Sequence, residues 1–112
     1  MTFRKDDNQK PEMGYLPWEQ LEAVARVFDF GAKKYGRDNW KNCPSPMRYI
    51  SAAVRHVGKW CIGEKKDPES GESHITHAIC SLLIALWLSD NDKGAENMRD
   101  HVDFKPGFPF KK

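Results

Sequence analysis

The sequence predicts an all-α fold: two long antiparallel helices and a packing helix, completed by oligomerisation. Three observations support this. Apolar residues recur at helical spacing in three segments, and no run alternates as a half-buried strand would. Each segment is bracketed by residues that start and stop helices. The third segment is apolar almost all round, and such a helix is buried on every side. A chain of 112 residues supplies one domain, too little to cover that helix with its own two neighbours, so burial against another copy is expected.

Residues 1–14 read as a mobile polar lead-in. Leu16-Pro17-Trp18-Glu19 then opens the first helix, because proline fits a first helical turn and Glu19 favours the helix dipole there. Leu21, Val24, Ala25 and Phe28 form its apolar face. Lys33 and Lys34 fall in its last turn, before Gly36 as a C-terminal cap. Residues 37–44 form a loop carrying Asn39 and Trp40. Ser45-Pro46 is an N-cap followed by a first-turn proline, and helix two presents Ile50, Ala53, Val54, Val57 and Cys61 on one side, ending near Gly63. Residues 63–71 are charged and rich in turn formers. Ser73 caps helix three, which carries Ile75, Ala78, Ile79, Cys80, Leu82, Leu83, Ile84, Leu86, Trp87 and Leu88 and runs to about Ser89. The helical domain thus spans 15–90. Residues 91–112 form a C-terminal extension with a short polar helix, then three aromatics spaced by Pro and Gly (Phe104, Phe108 and Phe110). That segment is too apolar to float freely and is expected to dock on its own or a neighbouring subunit.

Charged residues make up 30% and hydrophobic ones 39%, the balance of a globular protein. The net charge of +2, from 18 basic and 16 acidic side chains, lacks the strong basic excess of a general nucleic-acid binder. Cys43, Cys61 and Cys80 are odd in number and contain no CxxC pair, which points to a reducing compartment, the cytoplasm. The longest apolar stretch, 78–88, is too short for a bilayer, so no membrane partner is expected.

Four constellations carry chemistry. On helix three, His74, His77 and Ser81 share one face, and polar groups on a buried helix need partners. A ligand pocket or metal site, on one side, and locally bonded histidines, on the other, explain them about equally well. On helix two, Arg48, Arg55 and Lys59 form a basic stripe beside the His56 and Trp60 pair. Guanidinium suits phosphate and indole suits a base, although a solvated cationic face is the plainer alternative. In the acidic loop, Glu64, Asp67 and Glu69 suit Mg²⁺ with waters or a general base, against the default of a solvated turn. The fourth is Gly31-Ala32-Lys33-Lys34-Tyr35-Gly36 with Asn39 and Trp40. Its lysines are candidate phosphate contacts, but its spacing is not that of a P-loop. Nothing marks a catalytic thiol or a nucleophile elbow.

These segments also resemble a known family. Leu16-Pro17, Leu21-Glu22-Ala23-Val24-Ala25, Phe30 to Gly36 and Asp38-Asn39-Trp40 are similar to the opening of the phage dATP/dGTP diphosphohydrolase N-terminal domain family. The similarity continues through Arg55-His56, Gly63-Glu64, Asp67-Pro68-Glu69-Ser70-Gly71 and His74-Ile75-Thr76-His77-Ala78, covering about 13–88. The resemblance implies a phage or prophage origin, an all-α fold and purine deoxynucleotides as ligands. It also implies a distant likeness to MazG-like pyrophosphohydrolases, which hold Mg²⁺ through acidic pairs on two facing helices. Here helix two has no acid between Met47 and Ile62, and helix three has none between His74 and Ser89.

Two main readings follow. The first is a Mg²⁺-dependent diphosphohydrolase, cleaving an NTP to an NMP and pyrophosphate, with Glu64, Asp67 and Glu69 as metal-holding catalytic residues. Lys33, Lys34, Asn39, Trp40, Arg55, His56, Lys59, Trp60, His74 and His77 would then contact substrate. The second is a sponge that sequesters bacterial immune signalling nucleotides without cleaving them and needs no metal. A structural or regulatory oligomer is the weaker third.

Overall fold

The computed structural model describes residues 2–91 and 93. Three α-helices carry the fold: α1 (Trp18–Tyr35), α2 (Met47–Cys61) and α3 (His74–Asp90). Short 3₁₀ turns occupy Met13–Tyr15 and Asn39–Asn42. Among the described residues the only extended pairing is an isolated bridge between Lys66 and Ser73. The predicted helix order and bounds hold to within a residue or two. The expected short polar helix and the docking of 104–110 lie outside the described residues, apart from Asn91 and Lys93. Residues 2–14 are exposed, with Glu12 Oε1 accepting from Gly14 N at 2.9 Å in the first turn.

Local chemistry explains where each helix begins and ends. Gly36 closes α1 with φ 94°, a region that side-chain-bearing residues avoid, and its N–H donates to Ala32 O. Ser45 Oγ accepts from Met47 N at 3.2 Å, while Pro46 O already takes helical bonds from Tyr49 N and Ile50 N. Ser45 and Pro46 therefore act as N-cap and first-turn residue, and both are fully buried. Ser73 Oγ accepts from Ile75 N at 3.0 Å and caps α3.

α3 is the central element. α2 runs antiparallel against it and α1 packs on it, chiefly apart from α2, so the first helix lies on α3 rather than across a helix pair. The core joins Val24, Val27, Cys80, Ile84 and Leu88, with Phe28, Trp40, Cys43, Tyr49 and Trp87 packed around them. On α1 the buried pair is Val24 and Val27, whereas Ala25 is exposed. Three of the four residues expected on that face keep it, Val24 buried and Leu21 and Phe28 half-buried, and Val27 rather than Ala25 completes it.

The opposite side of α3 stays open. Ile75, Ile79, Leu82, Leu83 and Leu86 lie at i, i+4, i+7, i+8 and i+11, with exposures from 37% at Ile75 to 57% at Leu86. Val57 and Cys61, expected on the buried face of α2, are exposed as well. One chain thus covers only half of its most apolar helix, and large exposed apolar patches mark association surfaces.

Two outcomes are expected. The ridge on α3 should be covered by a second copy, so sedimentation at micromolar concentration should show at least a dimer. Leu83→Asp should give a folded monomer, because the residue is exposed within one chain and a charge is costly only at the interface. A folded wild-type monomer would refute this. Separately, Ser45→Ala should lower stability by about 0.5–2 kcal/mol in denaturant titration, the cost of a lost N-cap.

Candidate functional site

The C-terminal half of α1, the Asn39–Asn42 turn and the middle of α3 enclose a cleft of about 510 Å³, within the roughly 300–1,000 Å³ of small-molecule sites. Its aromatic wall is set by packing. Trp40 meets Phe28 edge-on at 5.9 Å and Trp87 edge-on at 5.2 Å between centroids. Lys41 Nζ lies 5.5 Å from the Trp40 ring and 5.3 Å from the Trp87 ring. Phe30 and Tyr49 also line the cleft, with Lys34 and Arg37 as its cations and His77 on its floor. Asp38 adopts φ 61° to turn the chain from Gly36 into the Trp40 segment.

Behind the cleft lies a histidine cluster. His56 from α2 and His74 and His77 from α3 come together because α2 and α3 run antiparallel. His56 and His77 stack at 4.7 Å and 17°. His56 Nδ1 lies 2.8 Å from His74 Nδ1, and His74 Nε2 lies 3.1 Å from Glu64 Oε2. A carboxylate only accepts, so His74 donates from Nε2. One of the two facing Nδ1 atoms donates to the other. His77 Nε2 pairs with Ser70 Oγ at 2.6 Å and is 3.7 Å from Asp67 Oδ2. His74 is fully buried, and every buried side-chain polar atom among the described residues is partnered.

The 62–73 loop supplies those partners and is tightly folded. Asp67 Oδ2 accepts from Ser70 N at 2.9 Å, Asp67 N donates to Glu72 O, and Gly71 N donates to Asp67 O from φ 78°. Two ion pairs tie the loop to α1: Arg26 Nε to Glu72 at 2.8 Å and Lys34 Nζ to Glu69 at 2.6 Å.

Electrostatics follow from these contacts. Burial, with His77 and His74 adding like charge, lowers the His56 pKa to about 4. Burial also lowers that of His77. At Asp67 desolvation is outweighed by the Ser70 hydrogen bonds and the histidines, so its pKa falls. The Glu69 hydrogen bond raises that of Lys34. Burial pushes Cys80 up to about 12, so its thiol stays protonated.

The predicted site residues separate into groups. Lys34, Asn39, Trp40 and His77 line the cleft. His56, His74, Glu64 and Asp67 belong to the cluster behind it. Glu69 reaches the cleft only through Lys34. The three carboxylates do not point at a common centre: Glu64 turns to His74, Asp67 to Ser70 and Glu69 to Lys34. No group of three or more His, Cys, Asp or Glu among the described residues is arranged to hold a metal ion. Lys33 is exposed and outside the cleft, as are Arg55 and Lys59. Arg55 Nη1 donates to Ser51 Oγ. Trp60 is capped by Lys65, whose Nζ sits 3.4 Å from its ring centroid.

Phe30, Arg37, Tyr49 and Ser70 were not singled out from sequence. Phe30 stands one helical turn before Lys34, a spacing that could have signalled a shared wall. Ser70 follows Asp67 at the spacing of a side-chain-capped turn.

Fold and site together define a small all-α domain with an aromatic, cation-edged cleft backed by a histidine cluster. The chain belongs to the dATP/dGTP diphosphohydrolase N-terminal family, whose model matches residues 2–98. It is 33% identical over 99 residues to a dATP/dGTP diphosphohydrolase of Salmonella phage PMBT28. That alignment covers 88% of this chain and 34% of the relative, so the chain spans about a third of the relative's length. No solved structure matches the chain significantly. No helix among the described residues is long and apolar enough to cross a membrane.

The histidine cluster predicts a pH dependence. Folded-state pKa values of His56 and His77 lie below the ordinary histidine value, so the unfolded chain binds protons first on acidification. The stability they contribute is complete above about pH 6.5 and is lost as pH falls towards 4, the value of His56. The depressed Asp67 acts in the same direction, at lower pH. Melting temperature should therefore fall between pH 6.5 and 4, and His56→Gln should flatten that slope. An unchanged slope would remove His56 as the cause.

Proposed function

We propose that this chain binds purine deoxynucleotides in the cleft between α1 and α3, as the nucleotide-receiving domain of a phage diphosphohydrolase. One observation carries the reading: aromatic rings and two cations share one small-molecule-sized cleft. A purine stacks on an aromatic wall such as Trp40, and Lys34 and Arg37 attract phosphates. The activity for which the family and its phage relative are named supports purine deoxynucleotides as the ligand class. The exposed α3 ridge supports a homo-oligomeric form of this domain.

Cleavage of a dNTP by water to a dNMP and pyrophosphate is the finer reading, and the family description favours it. With Mg²⁺ held by Glu64, Asp67 and Glu69, those carboxylates would first have to leave His74, Ser70 and Lys34. Their present engagement favours the second reading, capture without cleavage, as expected of a nucleotide sponge. Incubation with dATP, dGTP and Mg²⁺ followed by mass spectrometry separates the two. Pyrophosphate release that is abolished by EDTA and by Glu69→Gln supports the enzyme. Intact nucleotide retained with or without EDTA supports the binder.

Binding itself has a sharper test. Lys34→Ala should weaken dATP binding by about 1.5–3 kcal/mol, the range for charge-assisted hydrogen bonds. Arg55→Ala, outside the cleft, should leave it unchanged. Calorimetry giving the reverse pattern would move the site to the outer face of α2.

A further inference from the structure

We propose that Glu69 is a built-in competitor for ligand phosphate: it occupies Lys34, the cleft's phosphate-binding cation, until an anionic ligand displaces it. This inference rests on the cleft being the nucleotide site and assigns the control of its phosphate end. Lys34 belongs to the cleft wall on α1, whereas Glu69 belongs to the 62–73 loop and is itself outside the cleft lining. The two charges meet at 2.6 Å. Lys34 Nζ lies 5.4 Å from the centroids of both Phe30 and Tyr35, so its ammonium is placed over the aromatic edge of the cleft.

An ammonium has three donors but one charge, and a carboxylate in contact cancels most of the field that a phosphate would feel. The contact is exchangeable. The Lys34 and Glu69 side chains are 38% and 61% exposed, and pairs that open to solvent contribute little to stability. Release of Glu69 would not free the loop, because Arg26 still holds Glu72 at 2.8 Å, and the Asp67 turn is closed by its own bonds. Glu69 can therefore yield to a phosphate while the loop keeps its partners on His74 and His77. Selectivity follows: a ligand with several phosphate charges displaces the carboxylate, and an uncharged nucleoside does not.

The test is a double-mutant cycle on Lys34 and Glu69 in the full chain. Inorganic tripolyphosphate, dATP and deoxyadenosine serve as probes, read by calorimetry at low salt. Glu69→Gln should bind tripolyphosphate and dATP about two- to five-fold more tightly than wild type, the scale of a solvent-exposed ion pair. Deoxyadenosine binding should not change. In a Lys34→Gln background the gain should vanish, since the competition has been removed. Equal or weaker phosphate binding by Glu69→Gln, with dATP still bound by wild type, would overturn the competitor role and leave the cleft reading intact. A gain that persists without Lys34 would also overturn it, because it would report general charge. Absence of dATP and tripolyphosphate binding in both proteins would overturn both readings.

Discussion

The burial of α3 sets the position of every other element. Its apolar surface extends round the whole helix, so any side left to water is unfavourable at roughly 25 cal/mol for each Å² of apolar area. α1 takes one flank through Val24 and Val27, α2 takes another through Ala53, and Trp40 and Trp87 close the C-terminal half around Leu88. The cleft is a by-product of this arrangement. α1 and the Trp40 turn reach α3 from different directions, and the gap between them is left lined with rings and cations.

The same burial dictates the chemistry of the site. α3 carries His74, His77 and Ser81 on its buried side, where each unpaired polar group would cost about 1–3 kcal/mol. The partners of the two histidines come from outside the helix: His56 from α2, and Glu64 and Ser70 from the loop. The loop is thus shaped by the needs of the histidines, and its remaining acids are left to face α1. Structural satisfaction of one helix thereby places the Glu69 carboxylate beside Lys34 of the cleft.

Much of this was legible in the sequence. Ser45-Pro46, Ser73 and Gly36 announce helix ends through chemistry confined to a few neighbouring residues, and those ends fall where expected. The apolar surround of α3 is equally local information. The choice of face on α1 was not, because Ala25 and Val27 are both apolar and only packing on α3 selects between them. The site was legible as a set of residue types but not as a geometry. His56, His74 and His77 were flagged on separate helices, yet their stacking depends on the antiparallel register of α2 and α3. The pairing of Lys34 with Glu69 joins residues 35 positions apart, and no spacing rule reaches that far. Arg55, Lys59 and Lys33 stand outside the cleft lining, and a sequence cannot tell a cation at a cleft from one on an outer face.

The way α1 is attached has a mechanical consequence. α2 and α3 form a hairpin held by buried contacts and the histidine network. α1 is fixed to it by a short apolar strip and, at the loop, by two ion pairs open to water. Screening by salt weakens such pairs but not buried contacts. The seat of α1 therefore combines a salt-insensitive part, Val24 and Val27 against Cys80, Ile84 and Leu88, with a salt-sensitive part at the loop. α1 is also one wall of the cleft, so ionic strength acts on the shape of the cleft and on the seating of α1 through the same two pairs.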